Sequence, residues 1–213
     1  MQKVLNLRLT GARPLLMRCG RLADPLDPSA QALARLTGKR PRTPADMEAI
    51  ARAEWFGGLW LADGRPCLPA PALEACFVQA ARTRRLGRIA AAALSCTSHA
   101  PLEFEGPQDL EALWDDPNFR LRSGVEVANV RVFRTRPRFA RWAATATFEL
   151  LTNLIDERTV VDLFMIAGAQ IGIGDWRPKF GRFLVEVVAA ANQGKARRGR
   201  GLGGSAGAEA SSK

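Results

Sequence analysis

Residues 3–10 alternate Leu5, Leu7 and Leu9 with Asn6, Arg8 and Thr10. That period of two predicts a strand with one buried face. Residues 24–66 then read as an insertion carrying two helices, broken between Gly38 and Pro41. Thr43, with Pro44 after it and Asp46 three positions on, has the makings of a helix start, and Met47, Ile50, Ala51 and Trp55 supply an apolar face. Asp63-Gly64 inside LWLADGRPCLP predicts a tight hairpin. Pro71 opens a further helix whose stripe of Leu73, Cys76, Phe77, Ala80 and Ala81 faces a core, and which runs into Arg82, Arg84, Arg85 and Arg88.

Farther along, VEVANVRVF (125–133) and WAATATFEL (142–150) predict two strands flanking a hairpin tip, FRTRPRFARW. In that tip Arg134, Arg136, Arg138 and Arg141 interleave with Phe133, Phe139 and Trp142, and Pro137 keeps it from continuing as a central strand. Asp156 can cap a helix with Val160, Leu163, Phe164 and Ala167 on one side, which Gly168 to Gly174 would end. Phe183, Val185 and Val187 alternate as a last strand. With residues 24–66 set aside, the order is strand, helix, two strands, helix, strand. It predicts an α+β, ferredoxin-like antiparallel sheet with helices on one face, in a single domain over residues 1–190, with a thumb-like hairpin at 130–145. The other face of such a sheet is a frequent nucleic-acid platform. Residues 191–213, rich in Gly, Ala, Ser and Arg without apolar periodicity, are expected to be a disordered basic tail whose Lys195, Arg197, Arg198 and Arg200 add nonspecific attraction.

Charge sharpens this picture. The 213 residues carry 31 Lys and Arg against 21 Asp and Glu, a net charge of +10. A polyanionic partner is favoured, because neutralising phosphates releases condensed counterions. Arginine dominates the basic residues, and guanidinium both binds phosphate bidentately and stacks on bases. A GC-rich genome would give the same excess. No run of apolar residues is long enough to cross a membrane and the N-terminus lacks a signal-like apolar segment, so a cytoplasmic protein with no membrane partner is expected. Cys19, Cys67, Cys76 and Cys96 are far apart and lack metal or disulfide spacing.

The segment IGIGDWRPKFGRF (171–183) combines Gly172, Gly174 and Gly181 with Arg177, Lys179, Arg182 and the ring of Trp176. Glycine lets successive N–H groups approach an anion while the cations and ring hold a strand. The G-K-[ST] ending of a triphosphate loop is missing. A plainer role is that Gly172 and Gly174 end a helix, Trp176 and Phe180 plug the core, and Arg177 pairs with Asp175. The hairpin arginines, with no acid before Glu149, favour binding over a charged edge that blocks sheet aggregation. Those at 82–88 fit either a ligand or a helix C-terminal dipole.

LPAPALEACFVQAAR (68–82) resembles the helix of the CRISPR-associated RAMP superfamily, especially its Cas7-like backbone subunits, and IGIGDWRPKFGRF resembles their glycine-rich loop. The basic hairpin is similar in position to their thumb. Ala70, Glu74 and Val78 stand where the family pattern has Gly, Lys and Arg, so that helix's usual contact does not carry over, whereas Gly172, Gly174, Gly181 and Arg182 fit. The chain also resembles phage and prophage proteins sharing an ADPLD segment and a GDWRP-x-FGRF ending. These resemblances imply a non-catalytic protein that binds single-stranded RNA or DNA, self-associates along it or joins a multi-subunit ribonucleoprotein, and needs no cofactor or metal. Two alternatives stay open: a phage structural or assembly protein, and a metal-independent endoribonuclease in which His99 deprotonates a ribose hydroxyl. A lone loop histidine also serves as a hydrogen-bonding turn residue.

Overall fold

The computed structural model describes residues 1–127 and 129–189; the tail expected at 191–213 lies outside them. β1 (Gln2–Gly11) buries Leu5, Leu7 and Leu9, and β2 (Leu15–Leu16) follows at once. The insertion holds α1 (Pro28–Gly38) and α2 (Pro44–Gly58). At the start of α2 the Thr43 hydroxyl accepts from the Asp46 N–H while the Asp46 carboxylate accepts from the Thr43 N–H, the reciprocal cap read from the sequence. β3 (Leu61–Ala62) and β4 (Arg65–Leu68) form the hairpin, with Asp63 and Gly64 both at positive φ. α3 (Ala70–Thr83) buries the stripe of Leu73, Cys76, Phe77, Ala80 and Ala81.

Next come α4 (Gly87–Ala93), β5 (Leu94–Cys96), β6 (Ala100–Glu103) and α5 (Leu110–Asp115). β7 (Arg120–Val127) pairs antiparallel along its whole length with β8 (Val130–Phe139), and β9 (Ala143–Leu151), α6 (Glu157–Ile166) and β10 (Phe183–Val188) follow. The main sheet is antiparallel in the order β10-β1-β9-β6-β4-β3, with β5 also on β9. Leu5 and Phe148 are register partners, Phe148 packs on Phe164 of α6 at 4.9 Å, and Phe164 stacks on Phe77 of α3 at 4.8 Å. Both helices therefore cover the same sheet face, and each large side chain buried there contributes about 1.5–3 kcal/mol.

Two expectations are corrected. Residues 134–138 do not form a hairpin tip; they lie inside β8, where 134–137 are opposite 120–123 of β7, with Arg120 facing Pro137 and Arg122 facing Thr135. VEVANVRVF contains its own turn, in which Asn129 takes a φ of 62°, a conformation asparagine tolerates. Pro137 lacks an N–H yet still accepts the Met17 N–H at its carbonyl, so a proline fits here. Second, the ribbon leaves the main sheet and joins a separate three-stranded sheet ordered β2-β8-β7. The strand expected at 125–133 in the main sheet is replaced by the short β5 and β6. Val187, expected to point inward, is 52% exposed at the end of β10.

Candidate nucleic-acid interface

The open sheet face is not basic. Asn6, Arg8, Thr145, Thr147, Glu149 and Glu186 share it by register, and Arg8 is held bidentate by Glu103 at 2.8 and 3.0 Å. Hydrogen bonding to Glu103, then its negative charge, raises the Arg8 pKa. Three glutamates against one arginine, without an aromatic ring, make a poor surface for phosphates and bases.

Most hairpin arginines are committed to the protein. Arg134 donates to Glu54 of α2 at 2.6 Å, and the same carboxylate, only 3% exposed, accepts the Thr135 N–H at 2.8 Å. Arg136, buried, donates to Asp175 at 2.5 Å and lies 5.2 Å from the Trp176 ring centroid. The hairpin and the glycine loop are thus brought together, by a salt bridge rather than by a groove between them. Arg177 was the expected partner of Asp175; Arg136 takes its place. Arg141 pairs with Glu105, both more than four-fifths exposed, a contact worth little. Arg138 is half-buried opposite Leu16, with no carboxylate partner among the described residues.

The glycines serve chain packing. A Cβ on Gly174 would lie 2.4 Å from the Leu16 carbonyl oxygen, and one on Gly181 1.7 Å from that of Ile173. Their neighbourhood is closed by backbone bonds: Gly172 donates to Ala167, Asp175 to Leu16 and Gly181 to Pro14. The Gly172 N–H faces the protein's own carbonyl, which corrects Gly172 as a phosphate contact, and the approach of the Leu16 carbonyl to Gly174 fits the plainer, chain-packing role. Cys76 donates its thiol to the Gly172 carbonyl at 3.2 Å from beneath.

The cations outside this lattice gather elsewhere. Trp176 is 39% exposed and stacks on Phe180 at 5.7 Å, with the Lys179 ammonium 5.7 Å from the Trp176 ring and 5.8 Å from that of Phe180. Trp176 and Phe180 therefore form an exposed platform, not the core plug the plainer role required. Arg182 reaches back to the Pro178 carbonyl. Arg177 approaches Gln79 of α3 at 3.5 Å, and a shallow cavity of about 340 Å³ opens between them. Arg82 lies one helical turn beyond Gln79, on the same side of α3. At the corner into α4, Arg85 adopts a φ of 61° and the Arg82 stem lies against Gly87. Arg82, Arg84, Arg85 and Arg88 are all exposed there, without a carboxylate partner among the described residues.

His99 is exposed, and its Nδ1 accepts the Ala70 N–H at 3.1 Å. Pro69, at the cap position of α3, has no side chain able to do this, so His99 supplies the missing acceptor. Nearby, Glu74 accepts the Cys96 N–H at 2.7 Å. Among the described residues no three His, Cys, Asp or Glu side chains stand close enough to hold a metal, and no helix is long and apolar enough to cross a membrane.

Fold and surfaces together define an α+β protein with an antiparallel sheet, an acidic open face and an arginine-lined corner beside an aromatic pair. No family model matches the chain, and no curated protein matches it either.

Proposed function

We propose that the protein binds single-stranded nucleic acid, RNA or DNA, without cleaving it, along the corner of α3 and α4 and the adjoining loop. The observation that carries this reading is the continuity of Lys179, Arg177, Arg82, Arg84, Arg85 and Arg88, cations without acidic partners, beside the exposed Trp176–Phe180 stack. A single strand offers phosphates to the cations and a base to the ring, whereas a duplex keeps its bases stacked on each other. The strand order β10-β1-β9, with β5 and β6 both pairing on the far side of β9, α3 preceding β5 and α6 leading from β9 to β10, supports a ferredoxin-like reading of the core. The ribbon of β7 and β8 supports a RAMP-like reading in which neighbouring copies line up along one strand. Gel shifts with single- and double-stranded DNA and RNA across salt test this. A salt-sensitive shift with single strands is expected, and unchanged mobility with every ligand at low salt refutes it.

A second reading, self-association as a structural or assembly protein, has its own support. β10 is an edge strand on which Leu184, on the open face, is 65% exposed and Val187, on the helix side, is 52% exposed. Sedimentation after complete removal of nucleic acid separates the two, ordered oligomers favouring the structural role.

A further inference from the structure

A second concentration of uncompensated charge lies away from that corner, in a cavity of about 490 Å³ between α1, α2 and the ribbon. Arg18, Arg42, Arg122, Arg131 and Arg134 line it. Glu54 is the one acid on its walls, and it is spent on Arg134. The other four guanidiniums have no carboxylate partner among the described residues. Glu126 stands opposite Arg131 in the ribbon register but makes no ion pair with it. Arg42 donates one nitrogen to the Thr37 carbonyl while its Nε is cut off from water and has no acceptor, a state that costs free energy until an acceptor arrives.

The walls are not uniformly polar. Phe133, 61% exposed, faces the cavity from β8 opposite Gly124, over which the Arg131 side chain lies, and the Arg122 guanidinium is 5.6 Å from the ring centroid. Ala30 and Leu33 of α1 and Met47 of α2 make an apolar floor, and α1 buries none of its own residues, so this side stays open. A half-enclosed cavity of this size, with an apolar floor, one ring and convergent cations, has the proportions of a small-ligand site.

We propose that this cleft binds a phosphomonoester carried beside a planar ring: a mononucleotide, either free or at the phosphorylated end of a strand. A phosphomonoester carries close to two negative charges at neutral pH and offers three acceptor oxygens, whereas an internal phosphodiester carries one charge and has both ends tethered. Four unpaired guanidiniums in one cleft discriminate in favour of the former. The base stacks on Phe133 and the sugar covers the floor between α1 and α2. The proposal rests on the nucleic-acid reading only for a strand end as the source of the ligand; a free mononucleotide needs no other surface.

Calorimetry with the full chain, stripped of nucleic acid at high salt, tests it. The ligands are thymidine monophosphate and short oligothymidylates bearing a 5′-phosphate, a 3′-phosphate or neither. Binding of the monophosphate identifies the cleft as a nucleotide site, and at least a tenfold preference for one phosphorylated oligonucleotide over the unphosphorylated one identifies a strand end; either supports the proposal. R122A/R131A, two exposed positions, is expected to abolish both effects while leaving unphosphorylated binding within twofold, and F133A to weaken the monophosphate at least fivefold. No monophosphate binding together with equal affinity for the three oligonucleotides overturns it, as does a preference that survives R122A/R131A. Loss of unphosphorylated binding alone bears on the α3 and loop corner, not on the cleft.

Discussion

Glu54→Ala is expected to be the most damaging single change at the junction of the insertion and the ribbon. The carboxylate is 3% exposed and holds two groups: the Arg134 guanidinium at 2.6 Å and the Thr135 N–H at 2.8 Å. Thr135 is itself buried, at 6% exposure, so truncation leaves its N–H without an acceptor, a loss of about 1–3 kcal/mol. Arg134 is 27% exposed and can rehydrate in part, so its share falls below the 3–5 kcal/mol typical of breaking a fully buried pair. Together the expected destabilisation is about 3–4 kcal/mol. Urea unfolding followed by far-ultraviolet circular dichroism reads it as a midpoint lowered by about 1–4 M, for a slope of about 1–3 kcal/mol/M. Glu54→Gln keeps an oxygen for Thr135 and is expected to cost about 1–2 kcal/mol. It also leaves Arg134 uncompensated and so is expected to tighten anion binding in the cleft. A double-mutant cycle with Arg134→Ala isolates the pair. A loss below about 1 kcal/mol for Glu54→Ala, or a coupling near zero, refutes the reasoning.

Gly181→Ala is expected to cost at least about 2 kcal/mol in the same assay, because its φ of 71° and the Ile173 carbonyl 1.7 Å from a Cβ leave no room; wild-type stability would contradict that packing. Burial pushes the Cys76 thiol up to about 12 and the Cys67 thiol up to about 11. Aromatic disulfide reagents at pH 8 are therefore expected to modify both only as fast as the protein unfolds, and immediate reaction of all four thiols would contradict their burial. Three helix-capping carboxylates have lowered pKa values: Asp27 through the Ser29 N–H, Asp46 through the Thr43 N–H and then Lys39, and Asp156 through the Thr159 hydroxyl and N–H. A carboxylate depressed in the folded state stabilises fully above its unfolded value, near 4, and loses that contribution as pH falls toward the folded value. A melting temperature that declines below about pH 4, less steeply in D46A, is the expected profile.

Where local chemistry dictates the backbone, the sequence was readable. The Thr43–Asp46 cap, the Asp63-Gly64 turn, the α3 stripe and the leucines of β1 follow from side-chain periodicity and capping alone. The ribbon was not legible because FRTRPRF and VEVANV both alternate; only the ability of Asn129 to take positive φ places the turn. β5 and β6 are too short, and α4 too uniformly alanine, to show a period. The site was legible by composition but not by pairing. Nothing near Arg134 or Arg136 in sequence announces Glu54 or Asp175, 80 and 39 residues away. The cleft arginines Arg18, Arg42, Arg122 and Arg131 come from four separate segments, and Phe133, two residues after Arg131, was the one signal.

The central claim is that cations at the α3 and loop corner hold a single strand. Fluorescence anisotropy of a labelled oligouridylate and oligothymidylate, titrated at several salt concentrations with the wild type and with R84A/R85A, tests it most directly. Six cations engaged with one strand imply a slope of log affinity against log salt of about −4, and removing two is expected to reduce it by about 1.4. Absence of binding at low salt, or a slope that R84A/R85A leaves unchanged, would contradict it.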